Sequence, residues 1–117
     1  MAARIQRGQI YWVDFNPTIG SEQAGMRPAV VVSNDIANVN ASVVIVVPCT
    51  RTIREKRYPQ NVFLPAGDPL PDAGEVLCGQ VRTVAKERLR EYRADVSAEQ
   101  LTAIDRALAV ALGLPKP

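Results

Sequence analysis

Short apolar runs, closely spaced along the chain, are the feature that most constrains its fold. They are rich in branched or aromatic residues, lack helical periodicity, and occupy residues 9–15, 29–33, 42–47, 61–64, 75–78 and 80–84. Branched and aromatic side chains favour strands, and the glycine, proline and asparagine between the runs favour turns. We therefore predict short β-strands with brief connections, a polar break over residues 34–40, and an end to the β-region at residues 95–97.

The segment after residue 97 has helical periodicity instead. Ser97 and Gln100 have the spacing of a capping box, apolar residues then recur at helical intervals, and Gly113 follows them. These are the start and stop signals of an amphipathic helix. The predicted fold class is therefore mainly β with a C-terminal helix. The sheet should be small, antiparallel and strongly bent, closed as a barrel or half-barrel, with the helix packed against it.

Composition is that of one compact domain over residues 1–117. The chain is 47% hydrophobic and 22% charged, which allows a real core and excludes wholesale disorder. A net charge of +2 permits a polyanionic partner without identifying one. The longest aliphatic run, residues 43–47, is too short to cross a bilayer, and residues 1–8 lack the apolar core of a signal peptide. We therefore expect no membrane partner and a cytoplasmic location.

Two cysteines, Cys49 and Cys78, and no histidine are present. Each cysteine lies beside an aliphatic run, so in a reducing compartment we expect both to be buried and reduced, without a disulfide. Two separated cysteines without histidine do not have the spacing of a zinc site, and we expect neither a metal nor a cofactor. The absence of histidine also removes the commonest general acid and base.

A glycine-flanked polar loop delivers one arginine to the start of the second run. Gly20 and Gly25 permit backbone angles that a side chain would forbid, so the loop between them can fold tightly. Pro28 pushes Arg27 toward extended geometry and holds it where the loop meets the strand. Thr50 follows the third run. If these two runs pair as antiparallel neighbours, Arg27 and Thr50 come together.

Separated motifs, kept in order along nearly the whole chain, carry a family resemblance. They are RGQIYWVD at residues 7–14, GSEQAGMRPAVVVS at residues 20–33, VPCT at residues 47–50 and QVRT at residues 80–83. Together they resemble the MazF/PemK family of toxin endoribonucleases. The resemblance implies an SH3-like barrel, a homodimer, metal-free and sequence-selective cleavage of single-stranded RNA, and a cognate MazE-like antitoxin. It also implies that Arg27 and Thr50 are the catalytic pair. Met26 stands where some relatives carry histidine, so no imidazole acts there.

Arginine and threonine can supply what metal-free RNA cleavage requires from a protein. The ribose 2′-hydroxyl attacks the neighbouring phosphorus and leaves a 2′,3′-cyclic phosphate and a 5′-hydroxyl, so the protein must stabilise a phosphorane and assist two proton transfers. The guanidinium of Arg27 can grip two phosphate oxygens, and Thr50 can donate one further hydrogen bond. Arginine is a poor base because its pKa exceeds about 12, which leaves Glu22 as a candidate base or RNA contact.

Further polar residues are candidate RNA contacts. The cations of residues 51–60 form a basic connection that a single-stranded backbone could follow, although they can equally be ordinary solvated charges. Thr50, likewise, can simply cap the end of its strand. Asp68, Asp72 and Glu75 cluster without a basic residue nearby in sequence. The substrate-binding candidates are Ser21, Glu22, Gln23, Arg51, Arg54, Lys56, Arg57, Gln80 and Arg82.

Two alternative functions stay open at the level of sequence. A CcdB-like poison of DNA gyrase would have a similar barrel, but such proteins act through a terminal helix ending in a tryptophan-glycine-isoleucine tail, whereas this chain ends in GLPKP. A catalytically dead RNA- or protein-binding barrel would use the basic connection and not Thr50. Cleavage of single-stranded RNA in EDTA distinguishes the toxin endoribonuclease from both.

Overall fold

Seven β-strands and two α-helices form the structure, a computed structural model that describes residues 4–17 and 19–115. The strands are β1 (Gln9–Asp14), β2 (Met26–Val31), β3 (Val43–Thr50), β4 (Asn61–Leu64), β5 (Gly74–Leu77), β6 (Arg82–Ala85) and β7 (Leu89–Asp95). The helices are α1 (Asp35–Asn40) and α2 (Ala98–Leu112), and short 3₁₀ turns lie at Cys78–Gln80 and Lys86–Arg88. The predicted class, mainly β with a C-terminal helix, is confirmed.

β3 is the central strand because it pairs along its length with β2, β6 and β5. Its first half pairs with β6, its last two residues pair with β5, and β2 lies along its other edge. The pairs are antiparallel, and the main path through the sheet runs β4-β5-β3-β2-β1-β7. Within the described residues β4 and β7, the ends of this path, do not pair. The sheet is therefore open, which corresponds to the half-barrel of the two predicted shapes.

Alternate residues of β3 face two apolar clusters, because successive side chains of a strand point to opposite faces. Val47 and Cys49 belong to the cluster that α2 covers, and Val44 and Val46 belong to the cluster on the other face, with Phe15. Both faces of β3 are therefore buried over residues 46–50, whereas Val43 and Ile45 near its start are exposed. A strand buried on both faces is a nearly continuous apolar run, which is why β3 was visible in the sequence.

Two elements differ from the sequence prediction. The polar break after β2 contains the helix α1, whose Asn34 side chain accepts a hydrogen bond from the backbone N–H of Ala37. Asparagine and aspartate favour turns as well as helix starts, so this six-residue helix has no distinctive pattern. β7 was not predicted as a strand because most of its side chains are exposed and charged. It pairs only with β1 among the described strands, and charged residues are typical of such edge strands.

Pro48 was predicted to close the third run, but β3 continues through it to Thr50. Proline lacks a backbone N–H and is normally excluded from the interior of a sheet. On one side Pro48 is opposite Ala29 of β2. On the other side β3 pairs with β6 up to Val46 and with β5 from Cys49, so Pro48 lies in the gap between these partners. No described strand pairs with Pro48 on that edge, so its missing N–H does not break a hydrogen bond of the sheet there.

Helix α2 begins and ends at the predicted signals. The Ser97 side chain accepts from the N–H of Gln100, the Gln100 side chain accepts from the N–H of Ser97, and Gly113 ends the helix in the left-handed region at φ 68°. Ile104 is fully buried on its inner face, whereas Val110 is exposed. Neither helix of the described chain has the length and apolar character needed to span a bilayer.

Both cysteines are buried and free, as the sequence predicted. Cys49 lies near the end of β3, and Cys78 lies beneath α2, where its Sγ atom is 3.9 Å from the carbonyl oxygen of Ile104. Burial raises the pKa of each thiol from 9.0 to about 12, because an apolar surrounding disfavours the thiolate. Neither cysteine therefore supplies a nucleophile near neutral pH.

Replacing Ile104 with alanine tests how α2 is held on the sheet. The variant Ile104→Ala should lower the free energy of unfolding by about 2–5 kcal/mol, because it removes a fully buried side chain and leaves a cavity. Val110→Ala, on the exposed face of the same helix, should change it by about 0.5 kcal/mol or less. Urea unfolding followed by circular dichroism measures both values. Equal losses in the two variants would contradict the described packing.

The buried thiols predict a pH dependence of stability. Their folded-state pKa lies above the unfolded value, so their contribution is complete below about pH 9 and is lost as the pH rises toward 12. The melting temperature should therefore fall between pH 8 and pH 10.5, and the Cys49→Ala/Cys78→Ala double variant should lose less over the same interval. Differential scanning calorimetry in a reducing buffer gives the comparison. Identical slopes for the two proteins would refute the assignment.

Candidate functional site

The pairing of β2 with β3 brings Arg27 opposite Thr50. Ala29 of β2 is the partner of Pro48, and continuing this antiparallel register by two residues aligns Arg27 with Thr50. Residues directly opposite in a sheet project to the same face. Both side chains line one cavity of about 320 Å³. The predicted antiparallel pairing of these strands is thus present, and it places Arg27 and Thr50 on one cavity. Their catalytic roles stay predictions.

Arg27 is held at the mouth of this cavity by the loop that precedes it. Its Nε atom donates to the carbonyl oxygen of Ala24 at 3.1 Å, which leaves the Nη groups to grip an anion. The loop is itself fixed from outside, because the N–H of Gln23 donates to Oε1 of Gln80 at 2.9 Å. The N–H of Gly25 also donates to Oδ1 of Asn16 at 3.1 Å. The hydrogen bond to the Ala24 carbonyl oxygen thus fixes the orientation of the Arg27 guanidinium.

Thr50 is buried, and only 8% of its surface is exposed. Its Oγ1 atom accepts a hydrogen bond from the N–H of Thr52 at 3.2 Å. A hydroxyl has one proton to donate in addition to the lone pairs that accept. The bond from Thr52 therefore orients the hydroxyl and leaves its proton for a ligand in the cavity.

Glu75 completes a row of polar residues across three neighbouring strands, and it was not predicted as a site residue. It is the register partner of Thr50 on β5, lines the same cavity, and is only 2% exposed. Its Oε1 atom accepts from Nδ2 of Asn61 at 3.2 Å, and its Oε2 atom accepts from the N–H of Arg54 at 3.3 Å. A carboxylate within the apolar run of residues 75–78 was the signal for it. Its burial could not be read from the sequence because the donors lie 14 and 21 residues away.

Gly74, beside Glu75, permits the close approach of β5 to the end of β3. A Cβ atom built on Gly74 would lie 2.3 Å from the carbonyl oxygen of Thr50, which is far inside van der Waals contact. By contrast, a Cβ atom on Gly79 would meet only the Cγ atom of Gln60, at 3.5 Å. Gly74 is therefore required by the cavity wall, a role that was not predicted from the sequence.

Two further residues of the cavity wall come from β1 and β7. Trp12 is half-buried and lines the cavity, and the Arg93 guanidinium lies 5.8 Å from the centroid of its ring. A cation over an indole ring is attracted by the negative face of the ring. With Arg27 and Arg51, Arg93 makes three arginines in the lining of this cavity, and it was not predicted because β7 was not predicted.

A second cavity, of about 330 Å³, holds a different set of the predicted residues. Its lining includes Ser21, Glu22, Gln23, Gln80 and Arg82. Glu22 is therefore separated from the lining of the Arg27 cavity, and its Oε1 atom accepts from the N–H of Ile19 at 2.9 Å. The Arg82 guanidinium lies 5.2 Å from the centroid of the Phe15 ring, and its Nη1 atom donates to the Phe15 carbonyl oxygen at 3.4 Å.

The basic connection of residues 51–60 divides its cations among several partners. Arg51 lines the Arg27 cavity and forms an exposed ion pair with Asp72 at 3.6 Å, and Arg57 lies 3.8 Å from Glu75. Asp72 and Glu75, two of the three acidic residues that stand far from a base in sequence, are thus paired in space. Arg54 lines a third cavity of about 290 Å³ that also includes Gln80. Lys56 lies 5.6 Å from the centroid of the Tyr58 ring and lines none of these three cavities.

The fold and the site define a small, open β-sheet protein with a cavity lined by three arginines and by the hydroxyl of Thr50. Comparison with known proteins identifies the family. A family model described as the PemK-like, MazF-like toxin of type II toxin-antitoxin systems matches residues 6–112. The chain belongs to this family.

Solved structures agree with the family assignment over nearly the full chain. An endoribonuclease from a mycobacterial species, in complex with its cognate antitoxin, is 34% identical with a TM-score of 0.81, and the match covers 97% of this chain and 99% of that one. Another mycobacterial endoribonuclease is 32% identical with a TM-score of 0.82, covering 98% and 97%. MazF from Deinococcus radiodurans is 32% identical with a TM-score of 0.83, covering 97% and 100%.

Replacing Gly74 with alanine tests the close approach of β5 to Thr50. Because the new Cβ atom would overlap a backbone oxygen that cannot move aside, Gly74→Ala should lower the free energy of unfolding by about 1–3 kcal/mol. Gly79→Ala is the matched control and should change it by less than about 1 kcal/mol, since its Cβ atom makes ordinary contact. Chemical denaturation of both variants provides the values. A Gly74→Ala protein as stable as Gly79→Ala would rule out the described approach.

Proposed function

We propose that this toxin is an endoribonuclease that cleaves single-stranded RNA, including mRNA, with sequence selectivity and without a metal ion. Two mycobacterial proteins at 34% and 32% identity are endoribonucleases, and both match nearly the whole chain. The observation that carries the proposal is the meeting of Arg27 and Thr50 in one cavity. These residue types supply what 2′-hydroxyl attack on phosphorus requires from a protein.

The proposed reaction begins with the 2′-hydroxyl of the ribose attacking the adjacent phosphorus. Arg27 stabilises the negative charge of the phosphorane through its Nη groups, and the Thr50 hydroxyl donates a hydrogen bond to the same phosphate. The 2′-hydroxyl releases its proton to water, the bond to the 5′-oxygen breaks, and that oxygen takes up a proton from water, which leaves a 2′,3′-cyclic phosphate and a 5′-hydroxyl. Each preorganised donor is worth roughly 3 kcal/mol in such transition states.

Glu22 fits RNA contact better than base catalysis. It lines the second cavity, and one of its carboxylate oxygens already accepts a backbone hydrogen bond. A general base must reach the proton that it removes, directly or through one water. We therefore assign Glu22 to the group that reads the RNA, together with the other polar residues of that cavity: Ser21, Gln23, Gln80 and Arg82.

The basic connection provides the proposed contacts to the RNA backbone. Arg51 lies at the Arg27 cavity, and Arg54 lies at the third cavity, which shares Gln80 with the second. Cations spaced along a cleft track the phosphates of a single strand and make binding salt-dependent. Lys56 and Arg57 belong to the same segment and are assigned to this binding role.

The proposed protein partners are a cognate MazE-like antitoxin and a second copy of the chain. A mycobacterial relative and the Deinococcus radiodurans protein have both been solved with their antitoxins. An acidic segment laid in the cationic cleft would imitate RNA charge. Support for a homodimer comes from the exposed apolar side chains of α1 and β3, which are Ile36, Val39, Val43 and Ile45. The proposed location is the cytoplasm, where RNA is available.

RNA cleavage in EDTA tests the proposed reaction. The purified toxin should cut a mixed-sequence single-stranded RNA, and Arg27→Ala and Thr50→Val should each reduce the rate about a hundredfold or more. Arg106→Ala, which removes an exposed arginine of α2, should cleave like the original protein. Mass spectrometry of the products should find 2′,3′-cyclic phosphate ends.

Intact RNA under these conditions would refute the enzyme proposal, as would equal cleavage by Arg27→Ala. Binding of RNA without any products would instead identify a non-catalytic RNA-binding protein. Gyrase-dependent cleavage of DNA would identify a gyrase poison. Mapping the cut sites in a defined transcript reads out base choice in the same experiment.

A further inference from the structure

Glu75 is a buried carboxylate in a cavity that otherwise attracts anions, so its place there needs an explanation. An ionised carboxylate out of water is costly unless it is paired and hydrogen-bonded. Glu75 is 2% exposed and receives the Asn61 side chain and the backbone N–H of Arg54. The Arg57 guanidinium lies 3.8 Å from the same oxygen that accepts from Arg54. Two of these three partners belong to the basic connection.

We propose that Glu75 is a positioning residue that anchors the basic connection beside the RNA-binding cleft. The proposal rests on the proposed function for its RNA part, but the anchoring itself does not. By binding the N–H of Arg54, Glu75 fixes the backbone at the point from which the Arg54 side chain reaches the third cavity. By attracting Arg57, it holds a second point of the connection close to β5. Glu75 thereby determines which cations of the connection face the RNA.

The neighbouring contacts support an anchor at this point. The Arg57 guanidinium also lies 5.0 Å from the centroid of the Phe63 ring, so the ion pair is backed by a cation–π contact on β4. Asp72 offers a contrast within the same cavity, because its ion pair with Arg51 has both side chains largely exposed. Exposed ion pairs contribute little to stability, whereas a buried, hydrogen-bonded carboxylate restrains the groups that bind it.

Limited proteolysis with trypsin tests the anchor without RNA. The basic connection contains the trypsin sites Arg51, Arg54, Lys56 and Arg57. Glu75→Gln keeps the size of the side chain and removes its charge, and it should speed cleavage within residues 51–57 about tenfold or more. Asp72→Asn, which removes the same charge from an exposed pair, should speed it less than twofold. Arg57→Gln should give a smaller increase in the same direction as Glu75→Gln, at its remaining sites.

The fragments locate the cleavage by mass spectrometry, and thermal unfolding checks that the variants are folded. Cleavage of Glu75→Gln that is no faster than that of Asp72→Asn would overturn the proposal, as would faster cleavage spread evenly over the chain. If Glu75→Gln fails to fold, Arg57→Gln decides: faster cleavage in the connection supports the anchor, and an unchanged rate overturns it.

RNA cleavage kinetics provide a second test, because the anchor predicts that KM changes in the opposite direction from a simple loss of negative charge. Removing a negative charge near a phosphate-binding cleft should by itself tighten RNA binding, so Asp72→Asn should lower KM or leave it unchanged. Glu75→Gln should instead raise KM several-fold with kcat within about twofold, because the connection no longer holds its cations in place. A lower KM in Glu75→Gln would contradict the anchor. If the original protein cleaves no RNA, the proposed function fails while the trypsin result still decides the role of Glu75.

Discussion

The antiparallel register of β2, β3 and β5 is the constraint on which the whole site depends. Arg27, Thr50 and Glu75 come from distant parts of the chain and become neighbours only because Ala29 pairs with Pro48 and Thr50 pairs with Glu75. A slip of one residue would turn these side chains to the other face of the sheet. The buried valines of β3 prevent such a slip, since they fill clusters on both faces. The hydrophobic core thus specifies the chemistry by specifying the register.

The charge of the cleft is set by local pairing rather than by the total. A net charge of +2 is modest, yet Arg27, Arg51 and Arg93 line the same cavity. Glu75 in the same cavity accepts hydrogen bonds from Arg54 of the basic connection and from Asn61 of β4. Because the Glu75 carboxylate is paired with three partners, it repels a phosphate in the cleft less than an unpaired carboxylate would. The same pairing restrains a segment that has no strand or helix of its own between β3 and β4. The contacts of Glu75 therefore affect both the charge of the cleft and the order of the basic connection.

Local signals predicted most of the elements, and non-local contacts account for what was missed. β3 and the caps of α2 were readable because branched runs and the Ser97–Gln100 spacing act within a few residues. The meeting of Arg27 with Thr50 followed from one assumed strand pair. Gly74 and Glu75 were not predicted, because their roles depend on the Thr50 carbonyl oxygen and on Asn61, which fold next to them from elsewhere in the chain.

The loop before β2 links the Arg27 cavity to the second cavity, and in the proposed function this link would couple RNA recognition to cleavage. Gln80 holds the N–H of Gln23 at the second cavity, while the next residue, Ala24, holds Nε of Arg27 at the first. RNA bound against the second cavity would press on the peptide that aims the guanidinium. Misplacement of a catalytic group by about 1 Å can cost a hundredfold in rate. An RNA of the wrong sequence could therefore bind the basic connection and still be cleaved slowly, because its bases leave Arg27 misaligned with the phosphate.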